Sequence, residues 1–177
     1  MENVNILLAG FGGQGILFAG KVMAYAGLIE EKEISWLPSY GPEMRGGTAN
    51  CSVCISKEPI GSPLVINPNV LGVMNGPSYD KFINSVEPGG IVVIDSSLIS
   101  QKCDRTDVSA FYVNATAIAD EKGLHGLANM IILGKMMKES EFASLDAVKK
   151  SLAKCVPAHK SQLMESNIKA IELGMSL

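Results

Sequence analysis

The stretch LLAGFGGQGI, residues 7 to 16, sets four glycines around Gln14 directly behind an apolar run. Gly10, Gly12 and Gly15 stand at the spacing G-x-G-x-x-G, and Asn5 to Ala9 before them read as a short buried strand. Ile16 to Leu28 carries no proline and repeats apolar residues at helical spacing, so the segment reads strand, glycine turn, helix. That order needs a sheet with a helix folded back on it, which points to an α/β layer structure.

The rest of the chain follows this lead. EISWLP (33–38) reads as a second strand ended by Pro38, SYGPEMRGG (39–47) as a polar loop, and TANCSVCIS (48–56) as an alternating third strand. VLGVMN (70–75), IVVID within GGIVVIDSS (89–97) and AFYVNA (110–115) read as further strands, and Pro77 suits the start of a helix between them. From Thr116 onward the pattern is helical. Leu127 to Met137 is apolar nearly all round, broken only by Asn129, Gly134 and Lys135, so this helix is expected to be covered on more than one side, by its own core or by a partner. Ser144 is placed to cap the next helix, and Leu145, Val148 and Leu152 form its stripe. The last helix is expected from about residue 158 to 173, with Met164, Ile168 and Ile171 on one face and Gly174 as its stop. Buried apolar strands alternating with helices predict a Rossmann-like three-layer domain. Its sheet is mainly parallel, with one antiparallel strand at 48–56, and it carries extra C-terminal helices. With 177 residues, 47% of them apolar, one domain over 1–177 is expected.

Charge and cysteine usage remove several classes of function. The balance of 15 basic and 18 acidic residues, with Arg45 and Arg105 the only arginines, argues against nucleic acid as a partner. No apolar span approaches the ~20 residues of a membrane helix, and the N-terminus shows no basic region with a cleavage site, so a cytoplasmic protein is expected. Cys51 and Cys54 form C-x-x-C, but in an alternating strand their sulfurs point to opposite faces, a poor geometry for a shared metal or a disulfide. Cys103 and Cys155 lie far off in sequence, so no metal site is expected and any iron–sulfur cluster belongs on another chain. No catalytic residue is assigned: His125 and His159 have no nucleophile beside them, Asp95 reads as the cap of the turn after it, and the nine methionines read as core filler.

Two segments remain as candidate sites. At the glycine turn, Gly10, Gly12, Gly13, Gln14 and Gly15 are placed to offer backbone N–H groups and a helix dipole to a phosphate. A dinucleotide site also uses an acid at the carboxyl end of the second strand, and WLPSY has none there, while Glu30, Glu31 and Glu33 precede that strand. The turn is therefore a phosphate site, a docking site for a partner's backbone, or simply a close helix–strand packing device. In the second segment, Ser39, Tyr40, Gly41, Glu43, Arg45, Gly46 and Gly47 form a glycine-rich loop. Its arginine can grip a carboxylate or phosphate in bidentate fashion, or pair with Glu43 as an ordinary surface ion pair. Following the second strand, this loop belongs on the same sheet edge as the glycine turn, so the two are expected to face each other.

AGFGGQGILFAGKVMAYAG, followed by WLPSYGPEMRGGTANCSVCIS and PIGSP, resembles the gamma subunit of the 2-oxoacid:ferredoxin oxidoreductases, in the pyruvate/ketoisovalerate oxidoreductase catalytic-domain family. The resemblance runs through VEPGGIVVIDSSLI and GLANMIILGKMM to cover essentially the whole chain, with SYGPEMRGG its most specific piece. Among subclasses it is most similar to the 2-oxoglutarate type. The resemblance implies oxidative decarboxylation of a 2-oxoacid with coenzyme A to acyl-CoA and CO2, with ferredoxin as acceptor. It also implies thiamine diphosphate, magnesium and iron–sulfur clusters carried by alpha, beta and ferredoxin-like delta subunits, because this chain lacks the G-D-G motif and clustered cysteines. On that reading the isolated chain is inactive, and both loops form a surface that docks on the alpha and beta subunits near coenzyme A or the active-site cleft. An exposed surface as apolar as helix 127–137 would favour a homodimer when those partners are missing. The alternative reading is a free-standing Rossmann-like module that senses NAD or an adenine nucleotide through the glycine turn.

Overall fold

A strand that is apolar at nearly every position must be covered on both faces, and NVNILLAGF meets that need as β1 (Asn3–Phe11), with Ile6 to Ala9 fully buried. The computed structural model describes residues 3–39, 48–157 and 162–177. After β1 come α1 (Ile16–Ile29), β2 (Glu33–Ser39), β3 (Thr48–Ser56), β4 (Val70–Val73), α2 (Gly76–Phe82) and β5 (Ile91–Asp95). β6 (Ser109–Val113), α3 (Ala115–Glu121), α4 (Ala128–Ser140), α5 (Leu145–Cys155) and α6 (Gln162–Ser176) complete the order.

The six strands form one sheet in the order β2-β3-β1-β4-β5-β6. β4, β5 and β6 extend from β1 in parallel, and β3 is antiparallel to both of its neighbours, as its alternating sequence predicts. Sequence periodicity does not reveal where β3 sits. It fills the position between β1 and β2, so the crossover through α1 skips one strand.

Alternation along β1 divides the core. Ile6 and Leu8 face the layer that contains α1, α4, α5 and α6, while Leu7 faces α2 through Leu71, Val73, Tyr79 and Ile83. Each fully buried aliphatic side chain of this kind contributes about 1.5–3 kcal/mol relative to exposure. The two cysteines of C-x-x-C do part across the sheet: the Cys51 Sγ lies 3.6 Å from the Ile16 carbonyl under α1, and the Cys54 Sγ lies 3.8 Å from the Ser62 carbonyl. Burial pushes the Cys51 thiol up to about 12, so it remains protonated.

The structure settles one reading of the C-terminal half and corrects another. Helix α4 is covered by its own chain from Asn129 to Met137, chiefly against α6. Gly174 does not end α6, which runs on to Ser176. A Cβ at Gly174 would meet the Ile131 carbonyl of α4, and one at Gly134 would meet the Ile171 carbonyl of α6. These glycines let two helix backbones touch, and the buried face of α6 is Asn167, Ala170, Ile171 and Gly174, with Met164 and Ile168 at its margin. Lys135, the other interruption in α4, pairs with Glu139 at 2.7 Å and lies over the Phe111 ring at 4.7 Å. Ser144 caps α5 as expected, accepting from the Ala147 N–H at 3.2 Å. Residues 158–161, including His159 and the expected start of the last helix, lie outside the described residues.

Candidate functional site

The glycine turn leaves β1 at the carboxyl edge of the sheet and opens α1. Gly13 and Gly15 adopt φ of 94° and 74°, the left-handed region that favours glycine, and Gly15 is the residue before the first helical turn. Gly10 serves another need: a Cβ there would lie 2.5 Å from the Gln14 Oε1 and 2.8 Å from the Ile16 Cδ1. The Gln14 side chain folds back into the turn. Its Oε1 accepts from the Phe11 N–H at 2.6 Å, and its Nε2 donates to the Met74 carbonyl at 3.0 Å, tying the end of β1 to the residue after β4.

This fold-back narrows what the turn can do. In a dinucleotide-binding turn the backbone approaches a pyrophosphate closely, whereas here the carboxamide of Gln14 already takes the Phe11 N–H of the turn. The start of α1 remains available. No side chain caps it, and the first backbone bond back into the turn is from Ala19 to the Gly15 carbonyl, so the N–H groups of Ile16, Leu17 and Phe18 precede the helical ladder. Gly12, Gly13, Gly15 and these residues line a hollow of about 250 Å³ where an anion or a carbonyl oxygen would be favoured.

Beside the turn lies the crevice where the strand order reverses between β1 and β4, the usual ligand position in open α/β sheets. It encloses about 190 Å³ between Gly13, Gln14, Met74, Leu98, Thr116 and Asp120. Its nearest titratable pair is Asp120 with His125 at 3.0 Å, both well exposed. Asp95 at the end of β5 is buried and engaged: Oδ1 accepts from the Ser97 N–H at 3.1 Å, and Oδ2 accepts from the Thr116 hydroxyl. It caps the turn, as its sequence position suggests.

Strand pairing brings the ends of the second candidate loop to this edge. Ser39, the last residue of β2, is exposed and pairs with Asn50, and Thr48 opens β3 opposite Phe11. The loop therefore leaves and returns beside the glycine turn. Tyr40, Gly41, Glu43, Arg45, Gly46 and Gly47 lie outside the described residues. The acids lie at the opposite edge, where Glu33 pairs with Ser56 and Glu30 bonds Lys32 and the Ser144 N–H. Burial raises the Glu30 carboxyl, but those two partners outweigh it and hold it below the usual range.

One contributor escapes sequence reasoning. Asn129, buried in the first turn of α4, donates from Nδ2 to the Gly15 carbonyl at 3.0 Å and so supports the turn from behind. The only sequence signal for it is a polar residue interrupting an apolar helix.

Known proteins share this architecture. The family model described as pyruvate ferredoxin/flavodoxin oxidoreductase matches residues 5–177. The VorA subunit of ketoisovalerate oxidoreductase from Methanothermobacter thermautotrophicus is 39% identical over 171 residues, which cover 97% of this chain and 35% of that protein. The chain thus spans about a third of the length of that relative. The KorC subunit of 2-oxoglutarate synthase from Methanocaldococcus jannaschii is 37% identical over 172 residues, which cover 96% of this chain and 90% of KorC. Among solved structures, the gamma subunit of a keto/oxoacid ferredoxin oxidoreductase from Geobacter sulfurreducens superimposes with a TM-score of 0.83 at 28% identity, covering 98% of this chain and 96% of that one.

Proposed function

The chain belongs to the pyruvate ferredoxin/flavodoxin oxidoreductase family, and from that premise we propose that it is the gamma subunit of a multisubunit 2-oxoacid:ferredoxin oxidoreductase. As a single domain over 1–177 it joins alpha and beta subunits, and a ferredoxin-like delta subunit, in the cytoplasm. The assembled enzyme converts a 2-oxoacid, 2-oxoglutarate by preference, with coenzyme A to acyl-CoA and CO2 and passes electrons to ferredoxin. The observation that carries this reading is the end-to-end similarity to KorC, a subunit of nearly the same length.

The described cysteines do not fit the iron–sulfur clusters of such an enzyme. Cys51 and Cys54 face opposite sides of the sheet, and the described residues hold no group of three His, Cys, Asp or Glu suited to a metal. No step is assigned to those clusters on this chain. Its own contribution is a carboxyl-edge surface made by Gly10, Gly12, Gly13, Gln14 and Gly15 with Ser39, Tyr40, Gly41, Glu43, Arg45, Gly46 and Gly47. That surface docks the alpha and beta subunits and borders the coenzyme A cleft. Shared placement of the turn and both loop ends supports it, as do the uncapped N–H groups of α1. The rival, a nucleotide sensor, is disfavoured by Gln14 in the turn and by acids at the wrong edge.

Anaerobic affinity purification from the native host tests the reading. Thiamine- and cluster-bearing partners should co-purify, with oxoacid- and coenzyme A-dependent reduction of a low-potential dye that is fastest on 2-oxoglutarate. A partner-free chain that ADP or NAD stabilises would overturn it.

A further inference from the structure

The strand order of the sheet ends at β2, which pairs with β3 on one side and with no other described strand. Pro38 tells which of its backbone groups face outward. Proline has no N–H, so its pair with Cys51 is one without hydrogen bonds, and in an antiparallel ladder such pairs alternate with bonded ones. Leu37 with Ser52 and Ser35 with Cys54 are therefore the bonded pairs, and Ile34, Trp36 and Pro38 turn their backbone groups away from β3. Two donors, the N–H groups of Ile34 and Trp36, and three carbonyl acceptors line this margin. Among the described residues none of them has a backbone partner.

Edge strands are usually guarded by lysine, by inward-pointing charge or by a covering element. β2 carries a single charge, Glu33, at its first residue. At its middle it sets an apolar side chain on each face: Trp36 is 36% exposed and Leu37 is 38% exposed. Pro38 is its one guard, and it removes a donor while leaving an acceptor.

These features fit a second β2 running antiparallel about a two-fold axis through Trp36, the middle residue of the strand. Trp36 then bonds its own copy in both directions, and each Ile34 N–H reaches the Pro38 carbonyl of the other copy, so every open donor is met. The missing N–H of Pro38 falls opposite the Ile34 carbonyl, where only an acceptor is left over. Glu33 comes to lie beside Ser39, whereas a parallel, in-register copy would set Glu33 against Glu33. Moving the axis to Ser35 also meets the donors, but it leaves Pro38 and Ser39 beyond the end of the other strand and sets Glu33 beside Leu37. We propose that two copies of this chain pair through β2, joining their sheets into one with Trp36 on the axis. A strand from a different protein would have to supply this pattern of donors, acceptors and charge; β2 supplies it to itself.

Sedimentation equilibrium of the purified full chain over a micromolar range should return a dimer. Trp36 is the only tryptophan, so its emission should shift to the red as dilution separates the copies. In this register Leu37 lies diagonally across the axis from its own copy, within reach of a long side chain. Leu37→Glu alone and Leu37→Lys alone should each weaken the dimer at least tenfold without lowering the melting temperature of the monomer, and mixing the two variants should restore it. A chain that stays monomeric at the highest concentration overturns the proposal, as does a dimer that both variants leave intact. Single variants that remain apart when mixed overturn the two-fold register. None of these outcomes bears on the subunit reading, which co-purification tests separately.

Discussion

Gly134 and Gly174 do different work from the glycines of the turn. The helix pair is there for closeness: each lies against the backbone of the other's helix, and a methyl group at either would meet a carbonyl oxygen. Glycine inside a helix is about 1 kcal/mol less favourable than alanine, so this contact is kept for what it permits, the complete burial of α4. Gly13 and Gly15 are there for curvature, in backbone that other residues enter only with strain. Closeness is closed within the chain, while curvature leaves α1's first N–H groups facing outward. Glycine content alone does not distinguish the two uses; what each missing Cβ would touch does.

Substitution by alanine can break that contrast, and the largest effect belongs to the helix pair. Gly174→Ala should destabilise by several kcal/mol, beyond the usual ~1–3 kcal/mol of overpacking, because the obstacle is a backbone carbonyl and α4 cannot rotate away from it. The midpoint in urea denaturation reads this directly; an unmoved midpoint would show that α4 and α6 slide apart freely, and the contrast would fail. Gly15→Ala combines φ strain with collision against the Asn129 amide, for an expected loss of about 2 kcal/mol by the same measurement. Gln14→Ala removes two hydrogen bonds at ~0.5–1.5 kcal/mol each, one of them exposed, so about 1 kcal/mol is expected. It also empties the turn. Thermal shifts with ADP should appear in this variant and stay flat in the parent; a shift in the parent would revive the nucleotide reading.

Much of this was legible in the sequence. Local patterns specify the strands, the Ser144 cap, the opposed faces of Cys51 and Cys54, and the turn, because each depends on residues a few positions apart. The place of β3 between β1 and β2 was not, since strand order is decided by pairing partners that periodicity does not name. Gly174 reads as a helix stop until Ile131, 43 positions away, is seen against it. The three breaks in the apolar run of α4 are visible, yet their reasons lie in other elements: Asn129 holds Gly15, Gly134 admits α6, and Lys135 reaches Glu139 and Phe111. For the proposed surface, the sequence supplies the residues, and strand pairing brings Ser39 and Thr48, the described ends of the loop, to the edge where the turn lies.

The smallest stability effect gives the sharpest test. Gly13 has φ of 94°, but a Cβ placed there has no atom within 4 Å, so Gly13→Ala carries strain without collision and should cost only about 1 kcal/mol. That methyl group projects into open space beside the hollow and crevice that Gly13 lines. If the carboxyl edge is where partner subunits dock, the methyl meets them, and assembly should fall by more than the stability loss explains. Gly174→Ala, matched for stability by adding a stabilising osmolyte, should assemble normally. Measuring companion affinity for both variants at equal folded fraction separates a glycine required by its own chain from one required by the next. Equal affinities would mean that the turn, like the helix pair, serves only the fold.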